Sequence, residues 1–237
     1  MNTTTQATSR HTSPHAPRWL GLLKFLLFAA CLLPAASLAW SMLQGTLVHH
    51  ADSAEFTARM LGDWAFRMLL LTLAVSPLRR LTGWHWLIRL RRMLGLFVFF
   101  YALLHLLSYL WLEHGFRWTA IAGDIVKHPL ITLGAAAFLL LLPLVATSNR
   151  RMVRRLGGQR WQELHRSLYL IALFVLVHYW SLAEHDTLQP LLHAVILVAL
   201  LGIRAWWREQ ERQRQLSAAP PLPRYKPRGK VIPIDPR

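Results

Sequence analysis

Apolar residues in this chain do not alternate with polar ones; they gather into six blocks. The blocks run from about Trp19 to Trp40, Leu61 to Leu78, Met93 to Leu112, Pro129 to Thr147, Trp161 to Trp180 and Leu188 to Trp206. A helix needs about 20 apolar residues to cross a hydrocarbon core. The pattern therefore predicts an all-α integral membrane bundle of six transmembrane helices. Pro143 in the fourth block is compatible with this, because membrane helices tolerate proline where neighbours satisfy the freed backbone. Trp206 and Trp207 suit an interfacial aromatic belt. The first block ends near Ala35-Ala36-Ser37, a small-residue run like a cleavage site. It is longer than the roughly 7–15 residues of a signal-peptide core, so it is read as a retained anchor. Residues 1–17 are polar and aperiodic and read as a disordered tail. Residues 18–207 form the membrane domain, and residues 208–237 a basic, Pro-rich cytoplasmic tail.

Charge adds an orientation. The chain has 237 residues, 54% of them hydrophobic, and a formal net charge of +16. The basic residues lie between the apolar blocks, so they are explained by membrane topology and require no nucleic acid. Arg79, Arg80, Arg89, Arg91 and Arg92 fill the connector after block two, and Arg150, Arg151, Arg154, Arg155 and Arg160 the one after block four. The other connectors are poor in base and hold Asp52, Glu55, Glu113, Asp124, Glu184 and Asp186. Positive residues mark the cytoplasmic side, which places both termini in the cytoplasm. The single cysteine, Cys31, excludes an internal disulfide, a CxxC redox pair and a cysteine-held iron–sulfur cluster.

The candidate chemistry lies in four of the twelve histidines, His105, His165, His178 and His193, which fall within blocks. An ionisable side chain at membrane depth is costly and usually functional. His105 lies thirteen residues beyond Arg92, roughly 20 Å into the membrane at the helical rise. His178 lies the same number beyond His165, which is shallow, so His105 and His178 sit at similar depth. Two neutral imidazoles on facing helices are what a six-coordinate haem iron requires. On a straight helix His165 is roughly 140° from the face of His178. It serves a second site nearer the cytoplasm, or the helix is distorted between them. A second bis-histidine haem would need a partner near Arg91, where the chain has arginine. His193 reads as an interhelical hydrogen-bond partner. The competing functions are a transporter that relays protons through its histidines and a purely structural membrane anchor. The first would more often show broken helices and carboxylates at mid-membrane.

The stretches RRMLGLFVFFYALLHLLSY, HPLITLGAAAFLLLLPLVATSN and RRLGGQRWQELHRSLYLIALFVLVHYW resemble the ferric-reductase-type transmembrane family. Within it they are most similar to the haem-binding membrane subunits of bacterial periplasmic methionine-sulfoxide reductase systems. The resemblance runs from about residue 15 to 207. It implies an inner-membrane, multi-pass, non-catalytic electron-transfer subunit carrying haem b and a flavin mononucleotide (FMN). The implied donors are the quinone pool or a cytoplasmic flavin reductase. The implied acceptor is a periplasmic molybdopterin-containing reductase that repairs oxidised methionines in envelope proteins. The family's ligand histidines fall on His105, His165 and His178, although this chain reads HYWS at the last motif; no catalytic residue is implied. Larger relatives such as NADPH oxidases add a soluble flavin and nucleotide domain. The stretch after Arg208 is too short and polar for one, so the electron donor is expected to be a separate molecule.

Overall fold

A computed structural model of the chain describes residues 18–45, 53–128, 130–181 and 187–218. The tail 1–17, the segment 219–237, and Asp52, Glu184 and Asp186 lie outside the described residues. All regular structure among the described residues is helical: α1 (Arg18–Leu43), α2 (Ser53–Thr82), α3 (Ile88–Ser108), α4 (Trp118–Lys127), α5 (Ile131–Ala146), α6 (Arg150–Leu156), α7 (Gly158–Arg166), α8 (Leu168–Ser181) and α9 (Leu188–Ala218). A 3₁₀ turn, His85–Leu87, precedes α3, and a π-helical turn, Tyr109–Glu113, extends it.

Among these, the helices long and apolar enough to cross a membrane are α1, α2, α3 with its two extensions, and α9. A fifth crossing requires α4 and α5 together, and these meet at 113°.

Local chemistry sets the helix ends. Glu55 lies in the first turn of α2 and Arg79 and Arg80 in its last, matching the helix dipole at both ends. Gly83, at φ 73°, closes α2 in the left-handed conformation that costs glycine nothing. The Asn149 side chain caps α6 by accepting from the Met152 amide at 2.8 Å.

The core forms where α2 packs along α3, α5 along α8, and α9 against both α2 and α8. Tyr101, Phe66, Leu69, Leu73, Ile171 and Leu197 are fully buried there. The Tyr101 hydroxyl donates to the Cys31 carbonyl at 2.6 Å, tying α3 to α1, and its ring stacks on Trp64 of α2. One tertiary bond follows from a proline. Pro77 has no N–H, so it cannot serve the carbonyl of Leu73 four residues earlier. Arg204 of α9 donates to that carbonyl through Nη2 instead.

The helices depart from the sequence expectation in four places. α2 begins at Ser53, eight residues before the apolar block, so Asp63 and Arg67 lie well inside it, paired at 3.4 Å. α4 was not expected; it is joined to the end of α3 by Tyr109, whose hydroxyl donates to Asp124 at 2.8 Å. The fifth block is two helices, not one. The Ser167 hydroxyl and amide both turn back to the Leu164 carbonyl, at 2.7 and 3.1 Å, and the polar α7 ends there before the apolar α8 starts. Finally, α9 continues past Arg208 to Ala218, so the basic C-terminal segment begins as helix.

Candidate functional site

His105 stands near the end of α3 and His178 near the end of α8, and the fold brings their rings together. The ring centroids are 6.2 Å apart, with the planes at 69°. The Nδ1 of His105 lies 2.8 Å from the Ala58 carbonyl of α2. The Nδ1 of His178 lies 3.2 Å from the Leu130 carbonyl at the start of α5. A carbonyl can only accept, so both rings donate through Nδ1–H, and Nε2 is left as the basic nitrogen with its lone pair. This is how proteins fix the tautomer of a metal-binding histidine. With metal–imidazole bonds of about 2 Å and half a ring on either side, one ion between two Nε2 atoms calls for centroids about 6 Å apart. The observed spacing fits.

A glycine supports each ring. Gly62 follows Ala58 by four residues, and Gly134 follows Leu130 by four. A Cβ on Gly62 would lie 3.2 Å from His105 Nδ1; one on Gly134 would lie 2.9 Å from both Nε2 and Cε1 of His178. Carbon contacts are most favourable at about 3.5–4.0 Å, so a Cβ at Gly134 would force a shift and one at Gly62 would press the His105 ring by a few tenths of an ångström. The two halves of the site therefore share one construction. A carbonyl and, one turn later, a bare Cα present a backbone surface on which an imidazole rests. The sequence contained both glycines, but a backbone carbonyl has no signature in a list of side chains. The contact that would have singled the glycines out is tertiary.

The structure does not bring His165 to this pair. It lies at the end of α7, edge-on to Trp161 with centroids 4.0 Å apart, and within electrostatic range of Arg91. Trp161 is itself fixed by donating from Nε1 to the Thr147 carbonyl at 3.0 Å. The break at Ser167 means that His165 and His178 stand on different helices, which is the distorted alternative of the sequence reading. His193 makes an Nδ1 bond to the Gln189 carbonyl of its own helix at 2.8 Å and packs against Phe66 and Tyr179. Its bond is intrahelical, and only its ring reaches neighbouring helices. Among the described residues no three His, Cys, Asp or Glu side chains cluster to hold a metal ion. A two-imidazole site is the arrangement present.

Residues 61–176 match the family described as ferric reductase like transmembrane component. The chain is 48% identical over 206 residues to the protein-methionine-sulfoxide reductase heme-binding subunit MsrQ of Herminiimonas arsenicoxydans, spanning 86% of this chain and 94% of that one. It is 49% identical over 199 residues to the protein of the same name from Azospira oryzae, spanning 84% and 83%. To that of Bordetella pertussis it is 44% identical over 206 residues, spanning 85% and 98%.

Proposed function

Because the chain belongs to the MsrQ family of heme-binding subunits, we propose that it binds haem b between His105 and His178 as the membrane electron-transfer subunit of a methionine-sulfoxide reductase system. The observation that carries this reading is the imidazole pair at 6.2 Å with each Nδ1 on a backbone carbonyl. Haem, when bound, supplies a one-electron carrier. The work of the chain is to hold two Nε2 lone pairs at a fixed separation, with rings that cannot rotate while their Nδ1–H bonds stand. His165, the family's remaining ligand position, belongs in this proposal to a second cofactor site nearer the arginine-rich end.

The proposal extends to the partners that the resemblance implies. Electrons come from the quinone pool or a cytoplasmic flavin reductase and pass to a periplasmic molybdopterin-containing reductase. FMN is included on the same ground. The setting is the bacterial inner membrane, crossed six times with both termini inside. Crossing four is the α4–α5 pair and crossing five is α8, whose 14 residues make about 21 Å of helix against a core of about 30 Å, with the polar α7 at its cytoplasmic end. A proton-relay transporter is less well supported, because Asp63, the carboxylate inside α2, is already paired with Arg67.

Two experiments test this. The purified protein should give the reduced-minus-oxidised spectrum of a low-spin b-type haem; a colourless protein overturns the assignment. A topology reporter fused after Arg237 should be active only in the cytoplasm. Activity in the periplasm would mean an odd number of crossings.

A further inference from the structure

A second constellation lies where α2, α3, α8 and α9 meet, on side chains that the His105–His178 pair does not use. Arg204 and Arg208 stand one turn apart on α9, and both reach Tyr169 of α8. Arg204 Nη1 donates to its hydroxyl at 3.1 Å and Arg208 Nη2 at 3.4 Å, and each guanidinium carbon is 5.5 Å from the ring centroid. Arg91 of α3 is within electrostatic range of Arg204 and Tyr169. Two guanidinium groups thus converge on one tyrosine, and a third lies within electrostatic range of it. Among the described residues none of them pairs with a carboxylate, whereas Arg59, Arg67 and Arg212 each do.

The charges are also incompletely satisfied as hydrogen-bond donors. Arg204 Nε is buried and has no partner, although the same guanidinium donates to Leu73 and Tyr169. Tyr169, Leu201, Arg204, Ala205 and Arg208 line an open cleft of about 90 Å³. The cleft has room for a tetrahedral oxyanion, and because it is open the remainder of a larger ligand can lie outside it. Like charges held together near low-dielectric surroundings repel strongly, and a buried donor without an acceptor is costly. One group relieves both: a phosphate, which brings a charge of about −1.5 to −2 and three acceptor oxygens, the shape that guanidinium forks match.

We propose that Arg204, Arg208 and Arg91, with Tyr169, form a binding site for the phosphate group of a ligand whose remainder lies outside the cleft. Two sources share that chemistry, a phosphorylated cofactor such as FMN and the headgroup of an anionic phospholipid. The site shares no residue with the histidine pair. The haem spectrum, read in the same samples, therefore reports separately on the proposed function and on folding.

The test uses the full-length protein in neutral detergent and its Arg204→Gln and Arg208→Gln variants. Arg208 is exposed, so its replacement tests the site even where Arg204→Gln fails to fold. Binding of FMN and of riboflavin, which differ only in the phosphate, is followed by flavin fluorescence. Lipid retained by the protein is counted by native mass spectrometry. A cofactor site predicts FMN binding at least about tenfold tighter than riboflavin, with the advantage lost in either variant, as expected for losing one charge-assisted contact. A lipid site predicts equal, weak binding of both flavins and the loss of one retained phosphatidylglycerol in either variant. If folded variants match the parent in both measurements, the proposal is overturned. It is also overturned if they lose haem while flavin and lipid binding stay unchanged, which would assign the arginines to a porphyrin carboxylate.

Discussion

Replacing either His105 or His178 with alanine is expected to strip most of the haem from the purified protein, or to leave it five-coordinate and high-spin. Each ring supplies one Nε2, and among the described residues no third His, Cys, Asp or Glu is close enough to complete a cluster. Losing a supporting partner of a ligand costs about 10–100-fold in metal affinity, and losing the ligand itself costs at least as much. His193→Ala is the control, since that ring is held by its own helix and by Phe66 and Tyr179. The haem-to-protein ratio and spin state of the three variants decide the matter. Low-spin haem retained in His105→Ala but lost in His193→Ala would show that the pair has been wrongly chosen.

The second large effect is expected at a residue with no side chain. Gly134→Ala puts a methyl group 2.9 Å from His178 Nε2, closer than real contacts allow, against the backbone of α5. The imidazole must tilt or α5 must withdraw, and either movement lengthens the Nδ1 bond to Leu130. Haem affinity should fall about tenfold or more, and the haem that remains should show a changed electron paramagnetic resonance spectrum. Gly62→Ala, at 3.2 Å from His105 Nδ1, should shift the same signals in a milder form. Gly202→Ala, where a Cβ meets nothing within 4 Å, should leave them unchanged. If alanine at 134 and at 202 gave the same spectrum and haem content, the glycine would have no part in placing the ligand.

What could be read beforehand and what could not divide along physical lines. Long apolar runs give helices wherever they occur, so five of the six blocks were visible as helical segments from composition alone. The pairing of His105 with His178 was legible because thirteen residues separate His105 from Arg92 and His178 from the shallow His165, which translates into similar depth. Breaks and additions were not legible, because they depend on weak local competition. Ser167 ends a helix through its own hydroxyl, and α4 forms where Asp124 meets Tyr109 and the imidazole of His114, 3.4 Å away. The arginines divided differently. Arg91 carried a topology signal in the sequence, but its electrostatic interaction with Arg204 spans more than a hundred residues.

The bond between Arg204 and the Leu73 carbonyl also has a consequence for biogenesis. Pro77 leaves α2 with a polar gap from the moment that helix is made, and the group that fills the gap is 131 residues further along the chain. At translation speeds of about 5–20 residues per second, α2 waits roughly 7 to 26 seconds before Arg204 is made. During that interval the open carbonyl must be met by water or by the insertion machinery. A nascent chain halted before α9 keeps that vacancy permanently. The helix that carries Arg204 therefore supplies a partner to a carbonyl that has been open since α2 was made.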